Sequence, residues 1–200
     1  MIIVGLTGGI ASGKSTVSSF LKKKKFQVHD SDLVVKKIYS MPSPSFIRFL
    51  KKNSLRSAVK QKKINKKIIR KKIFDNNNIK KKLEKYIHLE VKKSRGVFLK
   101  TNKRKKTKIV FLDIPLLFEN KLEKICSHTM FLYCPVSIRE KRAIRRKGMK
   151  KDVLGKIINS QMSDKKKKQL ADYVINTQQN KTKTFNRVLK TIKLMLDHNL

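Results

Sequence analysis

The sequence predicts an α/β fold in which a parallel sheet is flanked by helices, and three observations predict it. Ile2–Leu6 is a short apolar run, rich in β-branched residues, that stops at glycines and gives way to Val17, Phe20 and Leu21 at helical spacing. Ile109–Leu112 and Met130–Cys134 are continuous apolar runs, the pattern of strands covered on both faces. Stretches with three- and four-residue periodicity separate these runs, and strands separated by helices imply parallel pairing.

The first strand-to-helix junction carries the chemistry. Gly8-Gly9-Ile10-Ala11-Ser12-Gly13-Lys14-Ser15 fits G-x-x-x-x-G-K-[ST], the P-loop pattern, in the strand–loop–helix setting where that pattern has mechanical meaning. Its glycines let successive N–H groups point into one concavity, and the helix opening near Lys14 adds its positive dipole end. Such a loop holds the phosphates of a nucleotide. The candidate binding residues are Ala11, Ser12, Gly13, Lys14, Ser15 and Thr16. Lys14 reaches the β- and γ-phosphates in this scheme, and the Ser15 hydroxyl ligates Mg²⁺.

Composition bounds the rest. Two hundred residues with 39% hydrophobic content suit one core with inserted subdomains. Cys126 and Cys134 form no CxxC pair, which fits reduced thiols in a cytoplasmic protein. No apolar run approaches the ~20 residues that span a bilayer, so a soluble protein without a membrane partner is expected. The formal charge of +39 raises the question of nucleic acid. Most of the 52 basic residues are lysine, however, crowded with Asn and Ile in stretches such as Lys62–Ile69. That bias fits an AT-rich coding sequence, and arginine, the bidentate phosphate reader, is not enriched. Solvated lysine faces are the favoured reading over a specific nucleic-acid surface.

Farther along, Phe26–His29 alternates as a second strand and is followed by Asp30-Ser31-Asp32, then by Val34, Val35 and Ile38 at helical spacing. Carboxylates at the carboxyl end of such a strand lie where open α/β sheets place ligands, although Asp30 or Ser31 also suits a helix N-cap. Pro42 and Pro44 mark a boundary. Residues 46–99 read as helical, with Asn65 as a cap, a break at Asn76–Asn78, and a stripe of Ile79, Leu83, Tyr86, Ile87 and Val91. Thr101–Lys108 reads as a basic loop.

Ile109–Leu112 then ends in Asp113, the form of a Walker B strand, whose carboxylate stands near Mg²⁺. Ser137 is a candidate cap for the helix after Pro135. Arg139, Arg142, Arg145 and Arg146 cluster on that helix, where guanidinium groups suit phosphoryl transfer or, equally, a solvated face. Leu154, Ile157, Ile158 and Gln161 form a further helix, Tyr173–Ile175 a short strand, and Phe185–Leu196 a closing helix.

Taken together, these segments resemble the bacterial dephospho-coenzyme A kinase family along nearly the whole chain. The resemblance rests on Leu6–Ser15, Asp30-Ser31-Asp32 as the family's D-x-D, Ile114–Glu119, the Arg142 and Arg146 pair, Gln161, and Ala171–Ile175. It implies a P-loop NTPase fold of the nucleoside-kinase type. The implied parts are a core at 1–40, 106–138 and 169–200, a helical substrate domain at 41–105, and a lid at 139–168. The implied reaction moves the ATP γ-phosphate to the 3′-hydroxyl of dephospho-coenzyme A. In it Lys14, Asp32 and Arg142 are catalytic, with Asp32 orienting the hydroxyl. Arg146 contacts ATP, Thr7, Asp32, His88 and Leu117 contact the acceptor, and Ser15 and Asp113 hold Mg²⁺.

Four positions depart from the family. Ala11 replaces a usual glycine and fits if the local backbone avoids positive φ. Leu89 follows His88 in place of proline, Arg139 replaces a common glutamine, and Thr177 an asparagine. The last change shifts the adenine contact, for which Asn176 is a candidate. The competing readings are another small P-loop nucleoside or nucleotide kinase, which would lack the 114–119 and 171–175 segments, and a non-catalytic RNA-binding protein.

Overall fold

The computed structural model describes residues 1–61, 63–145 and 148–197. In chain order the elements are β1 (Ile2–Gly8), α1 (Lys14–Lys23), β2 (Gln27–Asp30), α2 (Ser31–Ser40), α3 (Pro44–Lys52), β3 (Val59–Lys60), β4 (Lys63–Ile64), α4 (Lys66–Asp75) and α5 (Asn77–Arg104). They continue as β5 (Ile109–Asp113), β6 (His128–Tyr133), α6 (Val136–Ile144), α7 (Lys151–Ser160), α8 (Asp164–Leu170), β7 (Tyr173–Asn176) and α9 (Lys181–Asp197).

Two compact units emerge. One comprises Met1–Asp30 with Asn102–Leu200, and the other Ser31–Thr101.

In the first unit the strand order is β2-β5-β1-β6-β7, and every pairing in it is parallel. The central strands are apolar throughout because helices cover both faces of a parallel sheet. Val4, Leu6, Phe111, Met130 and Leu132 are buried with Val17 and Leu21 of α1 and Val188, Ile192 and Met195 of α9. Register fixes the working edge: Leu6 lies opposite Asp113, and Asp113 opposite Asp30. The P-loop and both carboxylates therefore leave the sheet from its carboxyl end, where open α/β sheets bind ligands.

The second unit has its own core, built on Phe46, Leu50, Leu55, Ile69, Leu83 and Ile87. Ser43 caps α3 by accepting Phe46 N–H, with Pro44 in the first turn, and Asn65 caps α4 by accepting Lys67 and Ile68 N–H. Three local expectations need correction. A two-stranded antiparallel sheet, β3 with β4, interrupts the helical stretch where Val59 faces Ile64. Helix α5 runs through Arg104, because a basic segment without Gly or Pro propagates a helix well. Ser137 does not cap α6, which starts at Val136 after Pro135 and has no side-chain cap.

Candidate active site

Gly13 precedes α1 with φ of 91°, a left-handed conformation that glycine takes without Cβ strain. No side chain caps this helix, and no acidic residue stands in its first turn, so its N-terminal amides face outward for an anion. A Cβ on Gly8 would collide with Ser12 Oγ, which packs Ser12 into the bend of the loop. That hydroxyl is buried and has no hydrogen-bond partner among the described residues.

Lys14 turns toward β5. Its Nζ lies 2.5 Å from Asp113 Oδ1, and Asp113 is almost fully buried. The motif lysine and the Walker B carboxylate thus meet directly. Pairing is what buried charges require, since an isolated one bears a large desolvation cost.

Ala11 departs from its expectation. Its φ is 59°, so the condition on which alanine was to fit, a backbone that avoids positive φ, is not met. The compensating contact is apolar: Ala11 is buried with Ala143 of α6 and Leu154 of α7, and Ile10, Met149 and Ile158 pack around them. Glycine at this position would lose that contact.

Thr177 braces the loop from below. Its hydroxyl is 2.6 Å from Ser12 O and 3.1 Å from Tyr133 O, and its N–H donates to Tyr133 O at 2.8 Å. Its carbonyl accepts from Arg142 Nη2 at 2.9 Å, while Arg142 Nη1 reaches Cys134 Sγ at 3.5 Å. Arg142 is thereby held at the mouth of a cavity lined by Gly13, Ser15, Thr16, Gln179 and Phe185. Phe185 stacks on Phe20 with a centroid separation of 4.0 Å, which fixes the apolar wall. Asn176, the expected replacement for the adenine contact, does not line this cavity, and its Oδ1 accepts Gln178 N–H. Gln179 and Lys181 do line it, and neither carried a motif in the sequence.

The segment around Ser163 is tied to the loop by side chains. Gln161 Oε1 accepts Ile10 N–H at 3.2 Å, and Glu119 Oε1 accepts Met162 N–H at 3.0 Å. Lys167 Nζ meets the same Glu119 oxygen at 2.7 Å, and Arg139 Nη2 meets Asp164 Oδ2 at 2.6 Å.

Other predicted residues are placed differently. Thr7 is fully buried and donates its hydroxyl to Pro115 O, and Leu117 is fully buried against Gly5. Both therefore hold the strand edge and, as placed, offer a ligand no side-chain surface. Asp32 stands in the first turn of α2, and His88 is exposed on α5 beside Lys85 and Lys92; both belong to the second unit. Arg146 lies outside the described residues. Among the described residues no group of three His, Cys, Asp or Glu side chains forms a metal cage.

Residues 2–183 match the family model for dephospho-CoA kinase. The dephospho-CoA kinase of Bartonella henselae is 35% identical over 197 residues, covering 98% of this chain and 99% of that protein. The crystal structure of TT1252 from Thermus thermophilus superposes with a TM-score of 0.80 at 27% identity, covering 98% of this chain and 97% of the other. A dephospho-CoA kinase structure from Campylobacter jejuni, at 24% identity, gives 0.72 over 99% and 98% of the two chains, which speaks to fold. With its P-loop, its Walker B partner and a match along nearly its full length, the chain belongs to the dephospho-CoA kinase family, the ATP-dependent kinases of the last step in coenzyme A synthesis.

Proposed function

We propose that this chain transfers the γ-phosphate of ATP with Lys14 and Arg142 on the phosphates and Asp32 on the acceptor hydroxyl. The observation that carries this reading is the Lys14–Asp113 pair at the carboxyl edge of the sheet, directly under the P-loop. The adenine enters the cavity beside Phe185, with Gln179 and Lys181 at its rim, and the triphosphate runs over residues 8–15. Lys14 then exchanges Asp113 for phosphate oxygens. Ser15 and Asp113 would hold Mg²⁺, which would supply charge neutralisation for the transferring phosphates.

The residues assigned to the acceptor are Asp32, in the first turn of α2, and His88, on α5. Asp32 aligns the 3′-hydroxyl and takes its proton as the oxygen bonds to phosphorus and the bond to the ADP oxygen breaks. Thr7 and Leu117 act beneath the acceptor, by fixing the segment that follows Asp113. Arg142, joined by Arg146, acts on the ATP phosphates, and residues 139–168 close over the loop. We place the reaction in the cytoplasm, in keeping with a chain of two cysteines that form no CxxC pair. The lysine excess is read as solvated surface.

The test is an acceptor screen with ATP, Mg²⁺ and purified protein. Coenzyme A formation without phosphorylation of nucleosides or nucleotides is expected. Phosphorylation of a nucleoside in preference to dephospho-coenzyme A would end the reading.

A further inference from the structure

Arg139 is 3% exposed, and its position in the family-like pattern is one where glutamine is common. Its guanidinium lies directly on the P-loop: a Cβ added to Gly9 would overlap Nη1 and press on Cζ, with Gln161 Oε1 close behind. Only glycine at position 9 lets a planar cation rest on the backbone there. Nη2 is held by Asp164 at 2.6 Å, whereas Nε is buried with no partner among the described residues. A buried donor left unmade is costly, and an arriving anion removes that cost.

The position has a direction. The cavity beside Phe185 opens at the Gly13 end of the loop, and Gly9 stands at the other end. A nucleotide with its base in that cavity and its phosphates along the loop carries its terminal phosphate toward Gly9. Arg is suited to the task because its fork offers several donors at once, so one can stay on Asp164 while others meet oxygens.

We propose that Arg139 is a further phosphate-binding residue, one that meets the terminal phosphate of ATP from the Gly9 side, with Asp164 as its positioning partner. This rests on the nucleotide reading of the loop given above. It separates Arg139 from Arg142, which lines the cavity at the Gly13 end of the loop and meets the phosphates nearer the base.

The experiment compares ATP and ADP affinity by calorimetry in wild type, R139Q, and the double variant R139Q/D164N. The double variant leaves no lone half-buried carboxylate and so keeps the test alive if the single variant misfolds. ATP binding is expected to weaken about 10- to 100-fold, the worth of one charge-assisted hydrogen bond, while ADP stays within about twofold in the same titrations. D164N alone, with Arg139 present but less firmly aimed, is expected to weaken ATP by a smaller factor and ADP not at all. Equal losses for ATP and ADP, or no loss for either, would overturn the assignment and leave Arg139 a brace for the loop. Wild type that bound neither nucleotide would instead remove the loop reading itself, and this assignment with it.

Discussion

Lys167 is completely buried, and its ammonium lies 2.7 Å from Glu119 Oε1, an oxygen that also accepts Met162 N–H. One carboxylate thus anchors α8 and the turn before it to the segment that follows β5. Glu119 belongs to the Pro115–Glu119 stretch that helped to mark the family, and the structure gives it a reason to be there.

Lys167→Ala leaves that carboxylate without its cation, and loss of a buried partner costs about 3–5 kcal/mol. Lys165→Ala and Lys166→Ala, on exposed neighbours, are expected to stay within about 0.5 kcal/mol. Urea denaturation of the three variants checks the contrast. Similar midpoints for all three would mean that Lys167 is solvated.

Ala11 balances two effects. Its left-handed backbone costs about 1–2 kcal/mol relative to glycine, and its buried methyl returns about 0.8 kcal/mol. Glycine also loses more entropy on folding, by about 0.4–1 kcal/mol. Ala11→Gly is therefore expected to melt within a few degrees of wild type. Ala11→Val, branched at a strained position, is expected to lose about 1–3 kcal/mol. Thermal melts of the two variants side by side read the difference.

Thr177→Val removes a hydroxyl that reaches both Ser12 O and Tyr133 O. The loss of a buried hydrogen bond costs about 1–3 kcal/mol. Because Ser12 sits in the P-loop, the same change is expected to raise KM for ATP more than it lowers kcat. Thr177→Ser, which keeps the donor, is expected to restore most of both.

Lys14→Ala and Asp32→Asn divide the reaction between phosphate and acceptor. The first removes the cation that meets the transferring group and is expected to lower turnover about 100-fold or more. The second is expected to lower turnover while ATP affinity holds. Near-normal turnover in Asp32→Asn would remove Asp32 from the mechanism.

Much of this was legible in the residues. The P-loop announces itself because its glycines and lysine serve backbone geometry and charge at fixed spacing, and β5 does so because a strand buried on both faces is apolar without a break. Lys167 was not legible. It stands in Asp164-Lys165-Lys166-Lys167-Lys168, where four identical side chains differ only in which one the turn of α8 sends inward. Arg139 was visible as one of four clustered arginines and as a departure from a family pattern, but nothing in its neighbours tells that Gly9 lies beneath it. Ala11 was misjudged because a left-handed φ depends on the path of the whole loop, and a single small residue does not declare it. Gln179 and Phe185 came together only because α9 packs beside α1, a tertiary event.

The loop is furnished with partners of its own: Lys14 on Asp113, Ile10 N–H on Gln161, Arg142 on the carbonyl of Thr177. Nucleotide capture is consequently a substitution reaction among hydrogen bonds, and the measured affinity is a difference between two satisfied states. Heat released on mixing will be modest for so many contacts, and a mutation that spoils a resting bond without touching the bound one will tighten the complex.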